Sequence, residues 1–352
     1  MNVPVAAKGH GRTYWIETGK ILLLVAATAA ILGLCVLVGP GIPGSDVMSL
    51  GVSSGAIMRL RMVGVGSAAI VGAALALAGV LLQGLLRNPL ADPYILGISS
   101  GAAAGVMVWI VFSDAIAAVL LRHPWWGWLL AHGQTIPALA GALLTCVVVF
   151  LLGRKRGGLL DPITLLLSGV VLSSVNGALI MFLNNLVPYG AKSDILDYLF
   201  GYISEGTAPL TVGIALSAVL LGWIGALGIG PAMNIGSLSD VEAESLGVRL
   251  QRLRITAFVL AGLLTAASIA LAGPIGFVGL ICPHICRGLF GPDHRRLLVV
   301  SPLVGAAFLM LADTFVRCTG AWFNGELPVG VITALCGGPF FLYLLTRRRT
   351  WS

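Results

Sequence analysis

Charge is what this sequence has least of. Asp, Glu, Lys and Arg together make up 10% of its 352 residues, against 58% hydrophobic ones, and a soluble domain cannot clothe its surface with so little charge. No G-x-x-x-x-G-K-[ST] segment occurs, so the chain holds no ATP phosphates in a P-loop of its own. Cysteine is scarce: Cys35, Cys146, Cys282, Cys286, Cys318 and Cys336 are scattered, mostly in or beside apolar runs, which is not a disulfide framework. Histidine is as thin. His10, His123, His132 and His294 fall in loops or termini, and Cys282-Pro283-His284-Ile285-Cys286, though made of good ligands, has no second cluster to complete a metal or haem site. With no catalytic dyad or triad either, neither enzyme activity nor a bound cofactor or metal is expected of this chain.

What the chain does have is long apolar runs. Charge-free stretches fall at Ile21 to Val38, Met62 to Leu86, Tyr94 to Phe112, Ile136 to Leu152, Ile163 to Leu186, Leu210 to Ile229, Ile255 to Cys286, Leu297 to Leu311 and Val329 to Thr346. A bilayer core about 30 Å thick takes roughly 20 residues per helix. The run Ile255 to Cys286 holds 32 residues and is interrupted at Gly273-Pro274, where a turn belongs, so it splits into a full helix and a short one. The expectation is an all-α polytopic membrane protein, one domain over residues 1–352, with about ten transmembrane helices and a tail at 1–20. The first run is long enough to span and is read as a helix, not a cleaved signal.

The net charge of +7 would suggest nucleic acid in a soluble protein, but here it sorts by side. With ten spans, 16 of the 21 basic residues share a face with both termini, while Arg59, Arg61, Arg122, Lys192 and Arg317 face the other way. Positive residues accumulate on the cytoplasmic side, so both termini are expected in the cytoplasm and no nucleic acid partner is expected. The sorting holds only if the 32-residue run crosses twice. A faint echo, Ala76-Leu77-Ala78-Gly79 before Pro89 and Ala270-Leu271-Ala272-Gly273 before Pro283, fits an inverted repeat or chance in an Ala/Gly-rich chain.

Between two runs lies the most polar stretch, Gly236 to Val248, with Asp240, Glu242 and Glu244 close together. Ser239 and Glu242 have capping-box spacing, so a short helix starts near Asp240, and Val241 and Leu246 add apolar anchors. Such an element invites the grip of another protein. Within the spans, Gln83, Ser99, Ser100 and Asn176 are candidates for a path or a subunit contact; a serine often only bonds its own helix. Asp313 is the only acid inside a predicted span, a functional candidate by default, with Arg317 at i+4 for an ion pair. Asp194 to Glu205 is expected as a short helix on the outer face, and Trp125, Trp126 and Trp128 suit a membrane interface.

The stretches GAALALAG (72–79), QGLLRNPLADPYILGISSGAAAG (83–105), SLSDVEAESLGV (237–248), GPIGFVGLICPHICRGLFGPDHRRLL (273–298), ADTFVR (312–317) and ELPVGVITALCGGPFF (326–341) closely resemble the FecCD/BtuC-type permease subunits of bacterial ABC importers for iron-siderophores, haem and vitamin B12. The resemblance spans nearly the whole chain after Leu60. It implies the type II ABC importer fold, a second permease copy or close homologue across the pathway, a cytoplasmic ABC ATPase dimer that carries ATP and Mg, and an extracytoplasmic substrate-binding protein in the inner-membrane assembly. It assigns ATPase coupling to Ser239, Asp240, Glu242, Glu244, Leu246 and Gly247. It assigns binding-protein docking to Arg317 and Arg61; the family's second arginine after Leu60 is replaced, since the chain reads Leu60-Arg61-Met62-Val63-Gly64, and Arg59 is the nearby substitute.

The function expected is that of an ATP-driven importer permease for a metal chelate, a ferric siderophore foremost, with haem or cobalamin as the other cargoes. The alternative is an ion-coupled secondary transporter using Asp313, which would run without an ATPase.

Overall fold

The computed structural model describes residues 9–40, 48–50, 55–120, 135–154, 160–187, 199–319 and 327–348. Its helices are α1 (Gly9–Leu37), α2 (Gly55–Leu85), α3 (Ile98–Leu120), α4 (Thr135–Leu152), α5 (Pro162–Asn184), α6 (Pro209–Gly236), α7 (Asp240–Ser245), α8 (Leu250–Ala272), α9 (Val278–Phe290), α10 (His294–Thr319) and α11 (Val329–Arg348). Seven are long and apolar enough to cross a membrane, and Ile98–Phe112, Val278–Phe290 and Val329–Leu344 are three shorter apolar helices. Together these are ten membrane helices, and α7 is the one short polar helix among the described residues.

The long run splits where proline and glycine demand it. Gly273 ends α8 at φ 68°, Pro274 offers no N–H, and α9 restarts at Val278. Three local expectations are corrected. Residues 9–20, read as a tail, continue the first helix. The span read from Tyr94 begins only at Ile98, because Asp92 caps a 3-10 turn over Pro93–Leu96 that Gly97 closes at φ 76°. Of the helix expected at 194–205, residues 194–198 lie outside the described residues, Leu199 and Phe200 are helical, and the helix stops at Gly201 (φ 80°), before the non-helical chain to Ser204. The fold class is all-α as expected; a local addition to it is a small antiparallel ladder, β1 (Val38–Pro40) on β2 (Met48–Leu50). The three tryptophans lie outside the described residues.

The bundle is built around α2. Its best window is 78% buried, against 22% for α4, α5 and α6, and two clusters of buried side chains share it: Ala74, Leu77 and Leu81 with Phe258 and Leu298, and Val65, Ala68 and Val71 with Leu309 and Val316. Lipid provides no hydrophobic drive between helices, so close packing must come from small side chains. A Cβ on Gly72 would collide with the Gly305 carbonyl of α10, and one on Gly79 with the Gly279 carbonyl of α9. Backbone therefore rests on backbone at both crossings.

Candidate functional site

At the C-terminal end of α2, four parts of the chain are tied to α7. The capping box is complete: the Ser239 hydroxyl accepts from the Glu242 N–H at 3.3 Å, and the Glu242 carboxylate accepts from the Ser239 N–H at 3.1 Å. Gly247, at φ 83°, supplies the left-handed residue that ends the turn, with the Val248 N–H returning to the Ala243 carbonyl at 3.1 Å. Asp240 pairs with Arg87 at 2.7 Å and with Arg254 of α8 at 3.0 Å. Arg87 also donates from Nε to the Gly236 carbonyl at 3.0 Å, closing the end of α6. Gln251, one turn from Arg254, accepts from the Leu160 N–H at 2.9 Å, which brings in the start of α5.

The outward face of α7 is apolar and acidic. Val241 and Leu246 are 79% and 61% exposed, Glu244 is exposed beside them, and only Ala243 turns inward. Partial burial pushes the Asp240 carboxyl up, but hydrogen bonds and charge from Arg254 and then Arg87 outweigh it and hold its pKa below the ordinary value. Glu242 is lowered by the Ser239 hydroxyl and backbone N–H. Both folded pKa values lie below the unfolded ones, so their contribution is complete above the usual carboxylate pKa of about 4 and is lost as pH falls through the depressed values. Hydrogen exchange of 240–248, corrected for its intrinsic pH dependence, is accordingly expected to stay flat between pH 7 and about 5 and to rise only below about 4; loss of protection setting in near pH 6 would contradict this.

At the other end of α2, the basic residues are placed differently from expectation. Arg61 and Arg317 are only 2% and 5% exposed, not displayed at a mouth. Arg61 donates to the Leu37 carbonyl at 3.4 Å. Arg317 pairs with Asp313 at 3.0 Å and with Glu205 at 3.3 Å, and donates to Thr314 at 3.1 Å. A guanidinium this deep requires such acceptors, and they turn both side chains inward. Arg59 is exposed on the first turns of α2.

The polar residues expected along a path are also drawn into the subunit. Gln83 donates to the carbonyls of Ala91 and Gly279, at 3.3 and 3.2 Å, fastening α2 to the turn after it and to α9. Asn176 of α5 donates to Ser100 of α3 at 3.1 Å and to Thr145 of α4 at 3.5 Å, and Ser99 is buried. These are fastenings between helices of one subunit. None of Gln83, Ser99, Ser100 and Asn176 lines the cavity of about 700 Å³ between the 93–96 turn, the 199–200 segment, the 274–277 turn and α11. Among the described residues no three of His, Cys, Asp and Glu gather as a metal site, and the His284 ring stands edge-on to Phe340 at 5.7 Å.

Residues 19–347 match the FecCD transport family. The chain belongs to that family. It is similar to the cobalamin import system permease protein BtuC of Halobacterium salinarum, 42% identical over 80% of this chain and 70% of the relative. The hemin transport system permease protein HmuU of Yersinia pestis is 36% identical over 83% of each chain. A solved inward-facing structure of a metal-chelate type ABC transporter aligns with a TM-score of 0.75 at 30% identity, covering 93% of this chain and 99% of that one. The ten-helix bundle is thus a multi-pass FecCD permease fold.

Three residues of this FecCD permease stand out in the structure and are not among the candidates drawn from the sequence. Arg87 has a left-handed backbone, φ 46°, which is uncommon outside glycine, and it is the hub between α2, α6 and α7. Asp92 joins two turns: its Oδ1 accepts from the Tyr94 N–H at 2.9 Å and its Oδ2 from the Phe277 N–H at 3.1 Å. Phe277 sits at φ 69° before α9, a strained position for a bulky residue, costing on the order of 1–3 kcal/mol. Asp92-Pro93 has the form of a helix start, a signal available in the sequence; nothing in it announces the other two.

Proposed function

We propose that this FecCD permease is the membrane-spanning subunit of an ATP-driven importer that moves a metal chelate into the cytoplasm, with both termini on the cytoplasmic side. Two copies, or one copy and a close homologue, would enclose the pathway, and a cytoplasmic ABC ATPase dimer would bring ATP and Mg. An extracytoplasmic binding protein would deliver the cargo. The chelate is a ferric siderophore, haem or a corrinoid; hemin and cobalamin are the cargoes in the names of the two relatives above.

The observation that carries the reading is α7: an exposed apolar and acidic knob whose base is ion-paired to the ends of α2 and α8. Force applied to Val241, Leu246 and Glu244 passes through Asp240 into the bundle without a flexible joint. A conformational change follows when partners bind two states with different affinity, and this element gives the ATPases a handle on both. For the binding protein, Arg59 is an exposed basic residue near the start of α2, whereas Arg61 and Arg317 are buried. Docking then uses Arg59 first, while the buried pair shapes the surface; rim charges act mainly on the rate of encounter. The ion-coupled alternative loses its carrier, since Asp313 is engaged by Arg317.

The test is reconstitution of the chain with its genomically neighbouring ATPase and binding protein in liposomes, with uptake of ferric siderophore, haem and cobalamin measured side by side. Uptake of one cargo that requires ATP and survives collapse of the proton gradient is expected. Uptake that persists without the ATPase and fails with the gradient would overturn the reading.

A further inference from the structure

One cavity is walled in part by backbone outside the α-helices. In a membrane, non-helical segments are tolerated only where they are buried in protein or line a cavity, and broken helices at mid-depth mark substrate sites in other transporter folds. Here the 3-10 turn at 93–96 and the non-helical turn from Pro274 to Phe277 converge on one space of about 700 Å³, which Leu199, Phe200 and α11 close. Its wall is aromatic, with Tyr94, Phe200, Phe277 and Phe341, and no basic side chain lines it. The single carboxylate, Asp92, is already occupied by two backbone N–H groups. Among the described residues that line it, the Tyr94 hydroxyl is the one side-chain donor, so contact with this wall is mainly apolar.

Phe277 is the anomaly in that wall. Its left-handed backbone is one that glycine adopts freely, and glycine stands one residue earlier, at 276. A phenylalanine at this position keeps a ring despite the strain, and strain of this kind collects where function over-determines the conformation. Two contacts fix the ring: Asp92 holds the backbone N–H, and Gly337 of α11 leaves room, since a Cβ there would collide with the Phe277 ring. We propose that Phe277 is a path residue, its ring forming part of the surface over which the apolar face of the chelate passes, and that Asp92 is the positioning residue that holds it there. This rests on the importer reading above.

The experiment uses the full complex of permease, ATPase and binding protein in liposomes, with ferric citrate, haemin and cyanocobalamin offered in turn and the one taken up used as the probe. Cargo moved per ATP hydrolysed is compared for the parent protein, Phe277→Gly, Phe277→Leu and Asp92→Asn. Phe277→Gly suits the left-handed backbone and removes only the ring, so misfolding does not account for its effect. It is expected to lower cargo per ATP about tenfold, with Phe277→Leu recovering part of the loss because it restores apolar surface. Asp92→Asn is expected to lower it in the same direction, since an amide presents only one acceptor oxygen to two N–H groups. An unchanged ratio in Phe277→Gly would show that the turn is structural only and overturn the path role. An unchanged ratio in Asp92→Asn would overturn the positioning role. Failure of the parent complex to couple ATP to uptake would instead sink the importer reading itself.

Discussion

Asp313→Asn is expected to be the most destabilising single substitution in the bundle. The Asp313 carboxylate and the Arg317 guanidinium meet at 3.0 Å with both side chains 4% exposed, and removing one member of such a pair strands the other charge away from water, a loss of about 3–5 kcal/mol. Glu205 remains within 3.3 Å of Arg317, so the loss falls near the lower end of that range. Thermal unfolding of the purified permease reads it. Asp313→Asn combined with Arg317→Met, which removes both charges, is expected to recover much of the stability, because the desolvation cost disappears with the pair. A double variant no better than the single one would mean that packing, not charge, holds α10 in place. ATP-driven uptake by the single variant, measured where it is still folded, bears on the alternative: retained uptake leaves no place for Asp313 as a proton carrier.

Asp240→Lys is expected to have the largest effect on transport at a modest cost in stability. The substitution places a third cation between Arg87 and Arg254, which now share one carboxylate, and like charges at this spacing push the base of α7 off the bundle. The ion pairs are partly exposed and each is worth no more than about 1 kcal/mol, so the fold survives. The geometry that passes force from the ATPase does not, and ATP-driven uptake is expected to fall at least about tenfold. Glu244→Lys is the informative companion, since Glu244 is exposed on the outward face and its reversal acts on the partner's surface alone. A permease in which Asp240→Lys takes up cargo at the parent rate would remove α7 from the coupling path. Glu242 is less suited to this comparison, because its carboxylate completes the capping box and reversal would unwind the helix as well as change its charge.

Much of this architecture is legible in the residues themselves. Hydrophobic runs and the sorting of arginines yield ten helices, and the break at Gly273-Pro274 follows from proline chemistry. The Ser239–Glu242 box is a local pattern whose partners are three residues apart, so sequence alone specifies it. Legibility ends where a side chain's partner lies far along the chain. Arg61 turns inward to a carbonyl at Leu37, and Gln83 reaches Gly279; no short window of sequence contains both ends of such a bond. In-span polar residues pose the same ambiguity from the other side. A path and a helix-to-helix fastening both need amides and hydroxyls among apolar neighbours, and only the fold separates Asn176 joined to Ser100 and Thr145 from a residue facing open space.

The glycine crossings of α2 bear on how this protein moves. Where carbonyl rests on glycine, at Gly72 against Gly305 and Gly79 against Gly279, there is no side chain to change rotamer and no slack for sliding. The helices α2, α9 and α10 are therefore expected to travel as one rigid keel, with α4, α5 and α6, whose faces are mostly free within the subunit, left to move against it. On the proposed coupling role of α7, a displacement there would enter this keel through the Arg87–Asp240 pair.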